Sequence, residues 1–332
     1  MQNDVTNTPN ISDFITKTPS AGINQSVKLT IFIPTIRRGW WNIMCNNLNR
    51  QNYKNFEVVV VDDYPEDRSK VAEAYAIKYN LDIKYVRGTR GKVKRTYNLA
   101  RANNQALALA TGEVLVFLQD FILMPLDGLE QIATLYRRNP DALQALPDVY
   151  TETNGEVDKE KEDWFNGRTD IVGEFIRQNV RIQNLGLRTT NNAKDFEQNY
   201  GAIPVKVARE LGGWWEFYDE ALGYDNVDIS YRALMKGYKI LIDETNVAIC
   251  LNIWPVIGNS KENGGSDRSR RLNDPRFVWM VTQMKDGKLP IVRNPEIDDV
   301  IDLQYEIPKE IETDKAEDWM NEHLQDIVKG WL

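Results

Sequence analysis

Five consecutive apolar residues, Val114 to Leu118, run directly into Gln119 and Asp120. Continuous rather than alternating apolarity, in branched and aromatic side chains, marks a strand covered on both faces, as in the middle of a parallel sheet. A lone carboxylate is costly to bury, so the chain must carry Asp120 past the strand end. The pattern recurs upstream. "KLTIFI" (28–33) is closed by Pro34, "FEVVVV" (56–61) runs into Asp62 and Asp63, and "LDIKYV" (81–86) gives a third strand. Between them, "WWNIMCNNLNRQ", "EDRSKVAEAYAIKYN" and "TYNLARANNQALALA" have helical composition. Strands alternating with helices predict an α/β fold, a mostly parallel central sheet with right-handed crossovers.

Carboxyl ends of parallel strands are where open α/β sheets bind ligands, so Asp62, Asp63 and Asp120 are candidate site residues. The same residues also serve as helix caps and turn formers. The histidine count narrows the chemistry further. The chain has one, His323, in a terminal amphipathic stretch. This excludes a Ser-His-Asp or Cys-His mechanism built around the strand ends, and a multi-histidine zinc site. Acid–base work falls to carboxylates or a lysine, and a metal would be a hard cation on oxygen ligands, Mg²⁺ or Mn²⁺.

Two cysteines are too few for a disulfide framework and suit a reducing, cytoplasmic setting. The net charge of −8 disfavours a large nucleic-acid footprint. No apolar run approaches the ~20 residues of a membrane helix, and the N-terminal sequence predicts no secretory signal. Residues 1–27 form a polar tail, 28–254 the main domain (28–125 one half, 126–254 the other), and 255–332 an extension. The extension holds a basic loop, "SKENGGSDRSRRLND", and a closing amphipathic helix that offers a face for a homo-oligomer.

Four blocks in order resemble family 2 glycosyltransferases of the GT-A fold. They are "LTIFIPT", "LNRQNYKNFEVVVVDD", "NNQALALATGEVLVFLQDFILMP" and "LGGWWEFYDEALGYDNVDISYRALMKGYKI", spanning about Lys28 to Asn252. The resemblance implies an inverting, metal-dependent enzyme that moves a sugar from a nucleotide-sugar, a UDP-sugar by preference, to an acceptor hydroxyl. It implies that Asp62 or Asp63 receives the base, with Pro34 and Thr35 as the opposite wall, and that Asp120 holds Mn²⁺ or Mg²⁺ against the diphosphate. Gln119 would assist at the ribose or the metal's water shell. Lys92 in "RGTRGKVKR", and Arg268, Arg270 and Arg271 in the later loop, would meet the phosphates.

The motifs depart from the family pattern in three places. Asp-x-Asp becomes Gln119-Asp120-Phe121, which leaves one carboxylate for the metal. Glu-Asp becomes Asp225-Asn226, which places the general base at Asp225, with Asp228 as runner-up because it is spaced to pair with Arg232. The frequent late histidine is absent, and Asn252 lies nearest its position. Trp214 and Trp215, after a Gly-Gly turn, are candidates to stack on the acceptor, or else core residues. The acceptor class stays open among glycan, lipid-linked saccharide, protein and hydroxylated nucleobase. The thinned motifs also suit a non-catalytic nucleotide-sugar-binding protein. A nucleotidyltransferase and a nicotinamide dehydrogenase are disfavoured, because no glycine-rich phosphate loop follows the first strand.

Overall fold

A computed structural model describes residues 26–36, 40–64, 66–88, 99–150, 186–219, 223–250 and Phe277. Lys92, Asn252, Arg268, Arg270, Arg271 and the closing helix lie outside these residues.

The first half alternates as expected. β1 (Leu29–Thr35), α1 (Trp41–Asn49), β2 (Phe56–Asp62), α2 (Ser69–Tyr79), β3 (Ile83–Arg87), α3 (Leu99–Leu109) and β4 (Val114–Leu118) follow in order. β1 pairs in parallel with β2 on one side and β4 on the other, and β3 joins outside β2. β5 (Ile122–Leu123), α4 (Gly128–Arg138), β6 (Leu143–Ala145), β7 (Asp148–Tyr150), β8 (Leu187–Thr190), β9 (Tyr200–Pro204), α5 (Val205–Glu210), α6 (Asp225–Met235), β10 (Ile240–Asp243) and β11 (Ala248–Cys250) complete the described elements. The main sheet has eight strands in the order β3-β2-β1-β4-β9-β6-β10-β8, and β5, β11 and β7 form a small second sheet. β9 runs antiparallel to both β4 and β6, and β8 antiparallel to β10, so two reversed strands interrupt an otherwise parallel sheet.

The continuous apolar runs are explained by two cores, one on each face. Ile31, Ile33, Val58, Val60, Val114, Val116 and Leu118 pack with Trp41, Met44 and Leu48 of α1 and Leu129 and Ile132 of α4. The alternate residues, Phe32, Val59, Val61, Leu115 and Phe117, pack with Ala106 and Leu107 of α3, Trp214, and Ile229 and Ala233 of α6. With both faces buried, no position along these strands can be polar without a partner.

β1 continues through Pro34 to Thr35 rather than stopping at the proline. Its pairing with β4 ends at Phe32, so the missing Pro34 N–H falls beyond that ladder, while β2 pairs on as far as Thr35 with Asp62. β4, by contrast, stops at Leu118, because Gln119–Phe121 turn back and the Ile122 N–H donates to the Gln119 carbonyl at 2.9 Å.

Candidate functional site

The chain lays β1, β2 and β3 outward in one direction and then returns to place β4 on the other side of β1. At that reversal the connections after β1 and β4 part in opposite directions and open a crevice at the carboxyl edge. Thr35 ends β1 there and Asp120 follows β4. The Thr35 hydroxyl donates to Asp120 Oδ2 at 2.7 Å, and both side chains are buried. The aspartate that closes the central strand is thus locked across the reversal by its neighbour strand.

Asp62 and Asp63, adjacent in sequence, have different surroundings. The Arg68 guanidinium donates to both Asp62 oxygens, Nε to Oδ2 at 2.7 Å and an Nη to Oδ1 at 2.6 Å. The Tyr85 hydroxyl and the Tyr64 N–H add donors to the same carboxylate, at 3.1 and 2.8 Å. Asp62 is therefore committed inside the protein, a partnership the sequence did not suggest. The Asp63 N–H donates to the Thr35 carbonyl at 2.9 Å, which sets it beside the end of β1. Its carboxylate lies over Gly88, where an added Cβ would come within 1.8 Å of Oδ1. Pro34 and Gln119 are half-buried at the same edge.

Asp225 opens α6 and is buried. It follows Tyr224, which holds a left-handed φ of 72°, uncommon for a bulky residue and a form of strain that concentrates at functional sites. The Tyr224 ring stacks on Phe277, with centroids 4.9 Å apart. Burial lifts the Asp225 carboxyl to about 6. Its own N–H and that of Asn226 pull the value down, and the Asp228 charge pushes it up. Asp228 is a different case. Arg232 Nε and an Nη both donate to its Oδ2, at 3.0 and 2.7 Å. Arg232 also donates to the carbonyls of Leu211 and Gly213 and so ties α6 to the Gly-Gly turn. Gly212 and Gly213 hold φ of 80° and 75°, where a side chain would be strained. The expected Asp228–Arg232 pair is present, and Asn226 Nδ2 donates to the Phe196 carbonyl at 3.0 Å.

The acceptor role expected of Trp214 is corrected. Trp214 is 1% exposed and meets Phe117 edge-on at 5.5 Å, so it shows no face to an incoming sugar. Asn104 grips it through both backbone groups, N–H and carbonyl, at 2.8 Å each. Trp215 is also buried, with the Arg232 guanidinium 5.7 Å from its ring.

β9 brings Asp120 and Asp225 to one edge. Its antiparallel register pairs Leu118 with Tyr200, and the Gln119 N–H donates to the Asn199 carbonyl at 3.0 Å. Gln198 directly precedes Asn199, and with its side-chain amide turned over its nitrogen reaches Asp225 Oδ2 at 3.3 Å. Gln198 carried no sequence signal, and its place follows from the reversed strand alone.

Among the described residues, no group of three or more His, Cys, Asp and Glu could cage a metal ion. One buried carboxylate still fits Mg²⁺ or Mn²⁺, which commonly bind proteins through one or two carboxylates and complete their shells with phosphate oxygens and water. No helix among these residues is long and apolar enough to cross a membrane.

The sequence model of glycosyl transferase family 2 matches residues 30–200, from β1 to the start of β9. The chain belongs to this family. The amylovoran biosynthesis glycosyltransferase AmsB of Erwinia amylovora is 34% identical over 97 residues, a match spanning 27% of this chain and 29% of that protein. In three dimensions the chain is similar to GalNAc-T7, solved with UDP, GalNAc and Mn²⁺ (TM-score 0.53, 16% identity, 71% of this chain and 45% of that one). It is also similar to the mannosyltransferase PcManGT of Pyrobaculum calidifontis, solved with GDP-Man and Mn²⁺ (TM-score 0.50, 17% identity, 95% and 80%). At these identities the likeness establishes the GT-A fold. Asp225, Asp228, Trp214 and Trp215 lie beyond the family match.

Proposed function

We propose that the chain transfers a sugar from a nucleotide-sugar, a UDP-sugar in preference to a GDP-sugar, to an acceptor hydroxyl with inversion at the anomeric carbon. The observation that carries this reading is the convergence on one sheet edge of two buried carboxylates with different anchors. Asp120 is held by a strand-end hydroxyl, and Asp225 sits at a helix start with its pKa raised to about 6.

In this reading Asp63 accepts the imino proton of the base, because Asp62 is engaged by Arg68, and Pro34 and Thr35 line the opposite wall. Asp120, together with the donor's phosphates, would hold Mn²⁺ or Mg²⁺. Such an ion neutralises charge on the departing diphosphate. Gln119 lies at the ribose side, and Lys92, Arg268, Arg270 and Arg271 serve the phosphates. Asp225 takes the proton of the acceptor hydroxyl as that oxygen attacks from the face opposite the leaving group. A carboxylate with a pKa near 6 is ionised at neutral pH yet more basic than an ordinary aspartate, which suits a general base.

The test is a panel of UDP-glucose, UDP-N-acetylglucosamine, UDP-galactose and GDP-mannose, each with and without Mn²⁺. Thermal shift reads binding, and nucleoside diphosphate release reads turnover. The reading expects a Mn²⁺-dependent rise in Tm and slow diphosphate release with one UDP-sugar. The thinned motifs, Gln119-Asp120-Phe121 and Asp225-Asn226, favour as a second reading a nucleotide-sugar-binding protein without turnover. Binding without release in the presence of acceptor sugars would decide for it, and a panel without any shift would sink both.

A further inference from the structure

Gln198 is 5% exposed, and its amide lies among three groups that dictate its orientation. In one orientation its oxygen accepts from Asn103 Nδ2 at 2.8 Å. That arrangement sets its nitrogen against the indole N–H of Trp214, donor on donor, and its oxygen against the Asp225 carboxylate, acceptor on acceptor. Turned over, the oxygen accepts from Trp214 Nε1 and the nitrogen donates to Asp225 Oδ2 at 3.3 Å. Asn103 Oδ1 is otherwise a buried acceptor with no hydrogen-bond partner. Turned over, the Gln198 nitrogen also meets Asn103 Nδ2 at 2.8 Å, donor on donor, a clash that a turn of the Asn103 amide would remove by bringing Oδ1 onto that nitrogen. An indole N–H can only donate and a carboxylate can only accept, so the second orientation is the one that satisfies the cluster.

We infer that Gln198 is a positioning residue for Asp225, its amide fixed by the buried Trp214 indole so that its nitrogen orients and stabilises the ionised carboxylate. The inference rests on the reading of Asp225 as the base. It also explains why a tryptophan withdrawn from the acceptor still belongs to the site. The neighbouring Asn199 carbonyl holds Gln119, next to Asp120, so one two-residue stretch ahead of β9 sets the spacing between the two carboxylates. The other charges around Asp225 work against its ionisation. Asp228 faces it from its own helix and Asp219 from the preceding turn, with Glu216 beside Asp219. Arg232 is spent on Asp228, and Arg101 lies 3.0 Å from Glu216. The Gln198 amide is thus a donor set among acids.

The test titrates Asp225 directly by carboxyl ¹³C NMR of aspartate-labelled protein, with the resonance assigned through Asp225→Asn. Gln198→Met keeps the volume and removes the donor. Gln198→Glu keeps an acceptor for Trp214 and sets a charge against Asp225. The Asp225 midpoint should rise by about one pH unit in Gln198→Met and further in Gln198→Glu. Diphosphate release from the stabilising nucleotide-sugar should fall about fivefold near pH 6 in Gln198→Met, and further in Gln198→Glu, and recover above about pH 8, with donor KM little changed. A role in packing alone would lower release equally at every pH and leave the midpoint in place, and that result overturns the inference. Should Gln198→Met not fold, Gln198→Glu alone carries both measurements. Full turnover in Asp225→Asn would remove the base assignment, whereas an inactive Asp225→Asn with an unmoved midpoint in the Gln198 variants would remove only the positioning role.

Discussion

Two buried carboxylates near opposite edges of the main sheet, Glu57 and Asp225, are treated in opposite ways. At the amino edge, Glu57 is 1% exposed and surrounded by donors. Thr30 Oγ1 donates at 2.7 Å, the Thr111 N–H at 2.7 Å, the Thr111 hydroxyl at 2.6 Å, and Lys84 and Lys28 at 2.9 and 3.2 Å. Burial opposes its ionisation, but the hydrogen bonds from Thr111, Lys84 and Thr30 outweigh it and bring the pKa down to about 2. At the carboxyl edge, burial of Asp225 dominates and the value rises to about 6. Asp228, for all its contact with Arg232, has an Oδ1 with no hydrogen-bond partner. One edge meets the cost of its charge inside the protein and so adds stability. The other satisfies Asp62 through Arg68 but leaves Asp225 and Asp228 short of donors, which is the condition for binding a proton, a cation or a substrate hydroxyl.

The largest expected effect breaks the carboxyl edge. Asp225→Asn should lower transfer by roughly two to four orders of magnitude, with donor affinity by calorimetry nearly unchanged. Loss of donor binding would instead put Asp225 at the diphosphate. Asp120→Asn comes next. The amide still accepts from Thr35, so Tm should hold, while the gain in donor affinity conferred by Mn²⁺ disappears. Retained Mn²⁺-dependent turnover would exclude Asp120 as the metal ligand. At the other edge, Glu57→Gln should cost about 2 kcal/mol of unfolding free energy and leave kcat intact.

Acid and base titrations of stability sharpen the contrast, because the two groups have opposite signs. Glu57 has a folded pKa below its ordinary 4.5, so its contribution is complete above 4.5 and fades as the pH falls towards about 2. The stability gap between wild type and Glu57→Gln should close over that window. Asp225 has a folded pKa above its ordinary 3.8, so it draws stability away as the pH climbs from 3.8 through about 6. Asp225→Asn should therefore melt higher than wild type at neutral pH, and the advantage should vanish in acid. Denaturant unfolding across that range would expose an error in either sign. The smallest effect is expected from Gly88→Ala. The new Cβ would displace the Asp63 carboxylate and weaken donor binding several-fold, with about 1 kcal/mol lost from the fold.

The sheet was legible in the sequence to the extent that strands advertise burial. β1, β2 and β4 are continuous apolar runs because cores lie on both faces, and that signal is local. The reversed β9 was not legible, since nothing in "YGAIP" states that it lies between β4 and β6. The site divides in the same way. Asp120 and Asp225 stand at element ends that sequence can locate. The engagement of Asp62 by Arg68 and the orientation of Gln198 by Trp214 depend on how side chains meet in space. Asn103 and Gln198 are 95 residues apart and share no periodicity. Trp214 misleads for a related reason, because a tryptophan after a turn looks the same in sequence whether its ring faces solvent or Phe117.

The stacking of Phe277 on Tyr224 bears on how the chain can be shortened. The last described strand ends at Cys250, and a fragment cut there would retain every described strand, α6 and both edge carboxylates. It would also strip an aromatic ring from the residue whose left-handed backbone aims the start of α6. Fragments meant for crystallisation or for acceptor screening should therefore reach past Phe277, even though the last described strand ends at Cys250.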